Sequence, residues 1–231
     1  MAGCFGGRRV YTDPDPGDLH RAPAGERVQS TTLQHHAARF FGVRARWLFV
    51  GDIMDGKFGQ WFMDGGHVIV GLTVILLSTA IHLAFVRERN WRLAAELLLM
   101  YSMGVSGFKG IFGGFFMHYF FADEMARSIG WPAGNPFQTE VAFFNLAVGI
   151  LGALTFFRRD FWLPFIIVST AMGWGAGFVH LTDMLEHGNF AGNNAGPILY
   201  ADIFMPILRI VLYIIYRKNQ TRDNKGDTHG Q

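Results

Sequence analysis

Cysteine is nearly absent from this 231-residue chain, in which Cys4 is the single example. That excludes an intramolecular disulfide and a cysteine-built zinc site, and leaves the redox compartment open. Charge is scarce as well: Asp, Glu, Lys and Arg make up 16% of the residues, against about a quarter in soluble domains. The 20 basic and 18 acidic residues give a formal net charge of +2. No long basic patch with interleaved aromatics accompanies them, which argues against a nucleic-acid partner. The opening "MAGCFGGRRVYTDPDPGD" lacks the basic, apolar and small-residue regions of a secretory signal, and no apolar run precedes Cys4 to make it a lipidation site. An HExxH pair is missing too, as are the repeated histidine pairs of di-iron membrane enzymes.

What the chain does contain is apolar. Half of its residues are hydrophobic and phenylalanine occurs 23 times, for a mean hydropathy of +0.21. The distribution is uneven. Residues 1–46 are polar, with "DPDPGD" and "RAPAGE" as turn or linker sequences, and read as a flexible arm. Residues 47–66 mix aromatics with Asp and Gly, too charged to span a bilayer, and read as an interfacial segment. Apolar runs then follow at 67–86, about 94–121, 137–157, 161–181 and 198–216. Each has about the 20 residues needed to cross the hydrocarbon, and five in so short a stretch could not readily be buried in a soluble chain. The expectation is an all-α, polytopic membrane helix bundle of about five transmembrane helices over 67–216, with 217–231 as a polar tail.

Loop charge suggests an orientation. Arg87, Arg89 and Arg92 follow the first run, Arg158 and Arg159 the third, and Arg217 and Lys218 the fifth. The intervening loops carry Asp123 and Glu124 against Arg127, and Asp183 and Glu186. By the positive-inside rule the carboxyl terminus is cytoplasmic and the amino terminus outside, in a prokaryotic cell (inner) membrane. Arg39, Arg44 and Arg46 before the first run pull the other way.

That orientation brings polar residues to one outer level: His67, His118, Glu140, Asn145, His180, Asp183 and Asp202, while His82 stands alone on the inner side. Lys109 and Arg209 fall near mid-depth, where an unpaired charge costs about 2.5–3.5 kcal/mol on the mildest insertion scale. Both should therefore face the bundle interior or snorkel. Glu140 and Asp202 are the candidate partners, and Asp202 precedes Arg209 by two helical turns on one face. Lys109, His118, Glu140, Asn145, His180, Asp183, Asp202 and Arg209 form the candidate polar network. Such a network either holds helices together, carries ions or protons, or belongs to a catalytic or cofactor site. His118 and His180 could ligate a haem or metal with Glu140 or Asp183, but the spacing assigns no cofactor. Gly104, Gly107, Gly110 and Gly113, together with Gly149 and Gly152 and with Gly173, Gly175 and Gly177, read as stripes for close helix packing. Pro164 and Pro206 should kink or loosen their helices.

"YFFADEMARSIGWPAGNPFQTEVAFFNLAVGILG" (119–152) and "FAGNNAGPILYADIFMPI" (190–207) resemble the paired motifs of DUF6790, a family of small bacterial and archaeal integral membrane proteins of unknown function. The likeness covers roughly residues 94–212. Residue by residue, it marks His118, Ile129, Gly130, Trp131, Pro136, Phe137, Gln138, Glu140, Asn145, Gly149 and Gly152. It continues through Gly175, Ala176, His180, Asn189, Asn193, Asn194, Gly196, Tyr200, Asp202 and Pro206. Phe178 and Val179 before the histidine depart from the pattern, as does Gly192, in a slot that often holds proline. The resemblance implies a membrane protein and is nearly silent on activity. Three functions therefore stand open: a transporter or proton-coupled protein, a membrane enzyme or redox-cofactor protein, and an accessory subunit of a membrane complex. Expected contacts are the lipid bilayer and either a second copy or a partner membrane subunit.

Overall fold

The computed structural model describes residues 56–228. The polar arm 1–46, with Cys4, and the first part of the interfacial segment lie outside the described residues. From Lys57 to Trp61 a short helix, α1, runs into a π-helical turn, Phe62–Gly66, and then into α2, His67–Phe85. The turn breaks at Gly65, whose φ of 106° only glycine adopts readily. A Cβ there would also come within 2.6 Å of Pro197 Cδ, so the turn docks on the far end of the chain.

Helix α3, Trp91–Lys109, begins where the Asn90 side chain accepts a 2.9 Å hydrogen bond from the Leu93 amide, a conventional N-cap. It continues through a second π-helical segment, Gly110–Phe115, into α4, Phe116–Phe120. Next come α5, Ala122–Ile129, and α6, Phe137–Leu154. A single 3-10 turn, Arg159–Phe161, leads into α7, Trp162–His187. The short α8, Gly192–Ala195, precedes the long α9, Pro197–Thr228. Helix α2 packs on α3, α3 on α6, and α9 on both α7 and α3, which closes the bundle.

Four helical segments are long and apolar enough to cross a membrane: Asp64–Phe85, Phe137–Leu154, Arg159–His187 and Gly192–Thr221. Their outward faces are apolar: Ile69, Leu72, Leu76, Leu77 and Ile81 on α2 are exposed, as are Phe178 on α7 and Phe204 and Val211 on α9. Water would not favour such a surface, whereas lipid chains do. The fold is an all-α, multi-pass membrane bundle, but four helices rather than five meet that standard. The second apolar run is helical but divided. Its first piece carries Arg92, Glu96 and Lys109 within 19 residues, and a π-helical segment follows.

At one end of the bundle Leu99, Met103, Val148, Trp162, Phe165, Ile166 and Leu212 form the buried core. The glycine stripes of α3 and α6 face each other. A Cβ on Gly107 would lie 2.8 Å from Gly152 Cα, and one on Gly110 would lie 3.0 Å from Gly149 Cα. The two backbones touch with no side chain between them, as close small-residue packing in membranes requires. Gly113 and Gly175 face open space, so neither takes part in this packing.

Candidate functional site

The polar residues divide into two groups. The first lies where α5, α7 and α8 meet. Helix α5 ends on Gly130, in the left-handed region at φ 84°, with the Asn189 side chain so close that a Cβ would sit 2.4 Å from its Oδ1. This turn presents Trp131, whose indole Nε1–H donates to Asp183 Oδ2 at 2.9 Å. Asn189 Nδ2 donates to the same oxygen at 2.6 Å and to Ile129 O at 2.8 Å. His187 Nδ1 lies 3.1 Å from Asp183 Oδ1.

Asn194, fully buried in α8, donates through Nδ2 to Asn189 O at 2.7 Å. Its Oδ1 lies 2.8 Å from His180 Nδ1. An amide oxygen can only accept, so His180 carries its proton on Nδ1 in this arrangement. The Trp131 ring stacks over His180 at 6.0 Å. Asn193 Nδ2 adds a 3.1 Å bond to Ser128 Oγ on α5. The group ties two connecting segments and two helix ends into one cap.

The second group runs along the contact between α3 and α9. Ser102, Ser106 and Lys109 recur at helical spacing on one face of α3, and Asp202 and Arg209 share one face of α9. Arg209, 4% exposed, donates from Nη2 to Ser102 O at 3.3 Å and to Ser106 Oγ, and its guanidinium lies over Phe165 at 5.5 Å. Its Nε is buried without a partner among the described residues.

The helices are antiparallel, so placing Arg209 opposite Ser102 puts Asp202 opposite Lys109, each pair seven residues on from the other. The seam is therefore about 10 Å long. Lys109 is half-buried against α2, where a Cβ on Gly71 would meet its Cδ at 3.4 Å. It is coupled electrostatically to Asp202 and Arg209, and His67 at the start of α2 senses it as well. Gly173 and Gly177 on α7 close over Asp202 from the other side.

The remaining candidates lie elsewhere. His118 hydrogen-bonds through Nδ1 to Gln138 Oε1 at 2.5 Å, joining α4 to α6. Asn145 donates to Val141 O of its own helix at 3.0 Å, and its side chain packs against Gly114. Glu140 is exposed on α6, so the structure joins it neither to Lys109 nor to His180. The first turn of α6 turns this carboxylate outward while Gln138 and Ala142 face in. His82 does not stand alone: its Nδ1 lies 2.9 Å from Tyr101 Oη. Among the described residues no group of three His, Cys, Asp or Glu could hold a metal, so His118 and His180 do not join Glu140 or Asp183 in such a site.

Gln138, Ser102, Ser106, Trp131, Asn189 and Asn194 were not among the candidate network residues. The serines had a usable signal, their i, i+4, i+7 spacing with Lys109. Trp131, Gln138 and the two asparagines were marked only by the motif resemblance.

No curated protein and no solved structure matches the chain. The model of DUF6790, a family of unknown function, matches residues 66–222, which holds every described residue of both polar groups, and the chain belongs to that family.

Proposed function

We propose that the protein moves a small ion or a proton through the bilayer along the α3–α9 seam. The observation that carries this reading is the antiparallel register that sets Lys109 opposite Asp202 and Arg209 opposite Ser102 and Ser106. Structural glue in membrane bundles is usually neutral, built from hydroxyls, amides and small residues. Here two cations and a carboxylate share one interior seam with no ion pair between them within 4 Å among the described residues. Ionisable groups held this way mark ion and proton pathways. The cap around Asp183 and Asn194 supports a structural role instead, because its hydrogen bonds link chain segments to one another. In this reading 91–120 is a fifth span, with Lys109 turned inward to the seam, the carboxyl terminus cytoplasmic and the bundle in the cell (inner) membrane.

The test is flux into proteoliposomes carrying pH- and anion-sensitive dyes. Purified protein should dissipate an imposed proton or halide gradient faster than protein-free vesicles, and Lys109→Met, shown to be folded, should not. Rates equal to empty vesicles for protons, alkali cations and halides would sink the transport reading.

A further inference from the structure

The seam has a surplus of donors. Among the described residues, Arg209 Nε–H is buried without a partner. The Ser106 hydroxyl accepts from Arg209 and, among the described residues, donates to nothing. The Lys109 ammonium makes no hydrogen bond among the described residues either. These three donors occupy one stretch of seam: Arg209 reaches α3 at Ser106, and Lys109 follows Ser106 by one turn on the same face. Charge is in surplus as well, with two cations facing the single carboxylate Asp202 among the described residues. Buried donors are rarely left unmade, and an uncompensated cation in a low-dielectric interior draws in a counter-ion.

We propose that Arg209 and Lys109 together bind one small monovalent anion of halide, nitrate or formate size, held by Arg209 Nε–H, the Ser106 hydroxyl and the Lys109 ammonium. The site rests on the same seam as the transport reading and deepens it by naming the ion. Asp202, at the Lys109 end, competes with the bound anion for the same cations. Occupancy therefore rises when Asp202 is neutralised. A monovalent ion fits the charge balance, because it brings the centre to neutrality with Asp202 ionised.

The experiment is a thermal-unfolding titration of the full-length protein in detergent, exchanged into gluconate and then titrated with chloride, bromide, nitrate or formate. A saturable rise in Tm is expected, following the mass-action law for a ligand of the folded state. Ser106→Ala, which keeps both cations, should weaken the apparent affinity on the order of tenfold, the loss of one hydrogen bond to a charged group. Asp202→Asn should strengthen it by at least a similar factor, on the order of tenfold or more for one unit charge removed from within the seam. No saturable dependence in the native protein overturns the site. So does an identical anion response in the native protein and both variants, which would mean an adventitious ion only. Saturable binding that follows the two variants, without flux in proteoliposomes, leaves the site standing and removes the transport reading. Proton flux from a protein with no anion response does the reverse.

Discussion

Lys109 and Arg209 illustrate how one residue's neighbours decide whether a membrane charge is tolerable. Arg209 is enclosed by a serine hydroxyl, a backbone carbonyl and a phenyl face, and Lys109 by the flat surface over Gly71. Because Asp202 and Lys109 attract across the seam, Lys109→Met should leave the buried carboxylate with Arg209 as its one cationic neighbour among the described residues. The expected loss is below the about 3–5 kcal/mol of a fully stranded buried charge, because Arg209 remains and the carboxylate can take up a proton. Adding Asp202→Asn should restore more stability than the single effects sum to, by more than about 0.5 kcal/mol, in a double-mutant cycle on thermal unfolding in detergent. A neutral Lys109→Met with no coupling would make the lysine a snorkelling residue. In the cap, Asn194→Ala removes the acceptor for His180 and the donor to Asn189 O at a fully buried position. Each orphaned group costs about 1–3 kcal/mol. The variant should unfold well below the native protein, while a change at exposed Glu140 to Gln should leave Tm within experimental scatter.

At the scale of helices, the glycine contact between α3 and α6 sets how the bundle closes. With Gly152 Cα only 2.8 Å from a Cβ built on Gly107, even alanine must push two backbones apart. Gly107→Ala should cost about 1–3 kcal/mol as overpacking, and Gly113→Ala, where nothing lies within 4 Å, should be neutral or stabilising in a helix. Unfolding of the two variants in the same detergent checks this pair; equal losses would refute the contact. The close packing was legible in the sequence because glycine at helical spacing has few other uses in a membrane. Which glycines face a neighbour was not, since Gly107 and Gly113 look alike until the π-helical segment after Lys109 shifts the face of everything beyond it. That shift separates residues that simple depth counting placed together. His118 ends beside Gln138 and not beside His180. Helix spacing put Asp202 and Arg209 on one face, but it could not reveal that α3 supplies Ser102 and Ser106 opposite them, because register between distant helices is not written in either one alone.

For the whole molecule the segment 91–120 decides the number of bilayer crossings. Four helices satisfy the length and apolarity of a span, and the intervening segment is helical but carries three charges in its first piece. Two of those charges have places in the bundle that lipid would not supply. Glu96 pairs with Arg159, which also lies over Trp162 and Tyr216 at 5.6 and 5.7 Å. Lys109 faces the seam. The pairing of Glu96 with Arg159 also brings the end before α3 and the end before α7 to one side, where Arg87, Arg89 and Arg158 are exposed. The opposite end gathers the Asp183 cap and the turn before α2, since Gly192 packs on Asp64. If the basic ends face one side of the membrane and the capped ends the other, the chain crosses between each, and an odd number of crossings is expected from α2 to α9. Reporter fusions after Arg89, Arg127, Arg158, Glu186 and Arg217 should alternate, with Arg89, Arg158 and Arg217 cytoplasmic. If the Arg89 and Arg127 fusions report the same side, 91–120 is not a span, and the seam then opens to one face of the membrane instead of lying within it.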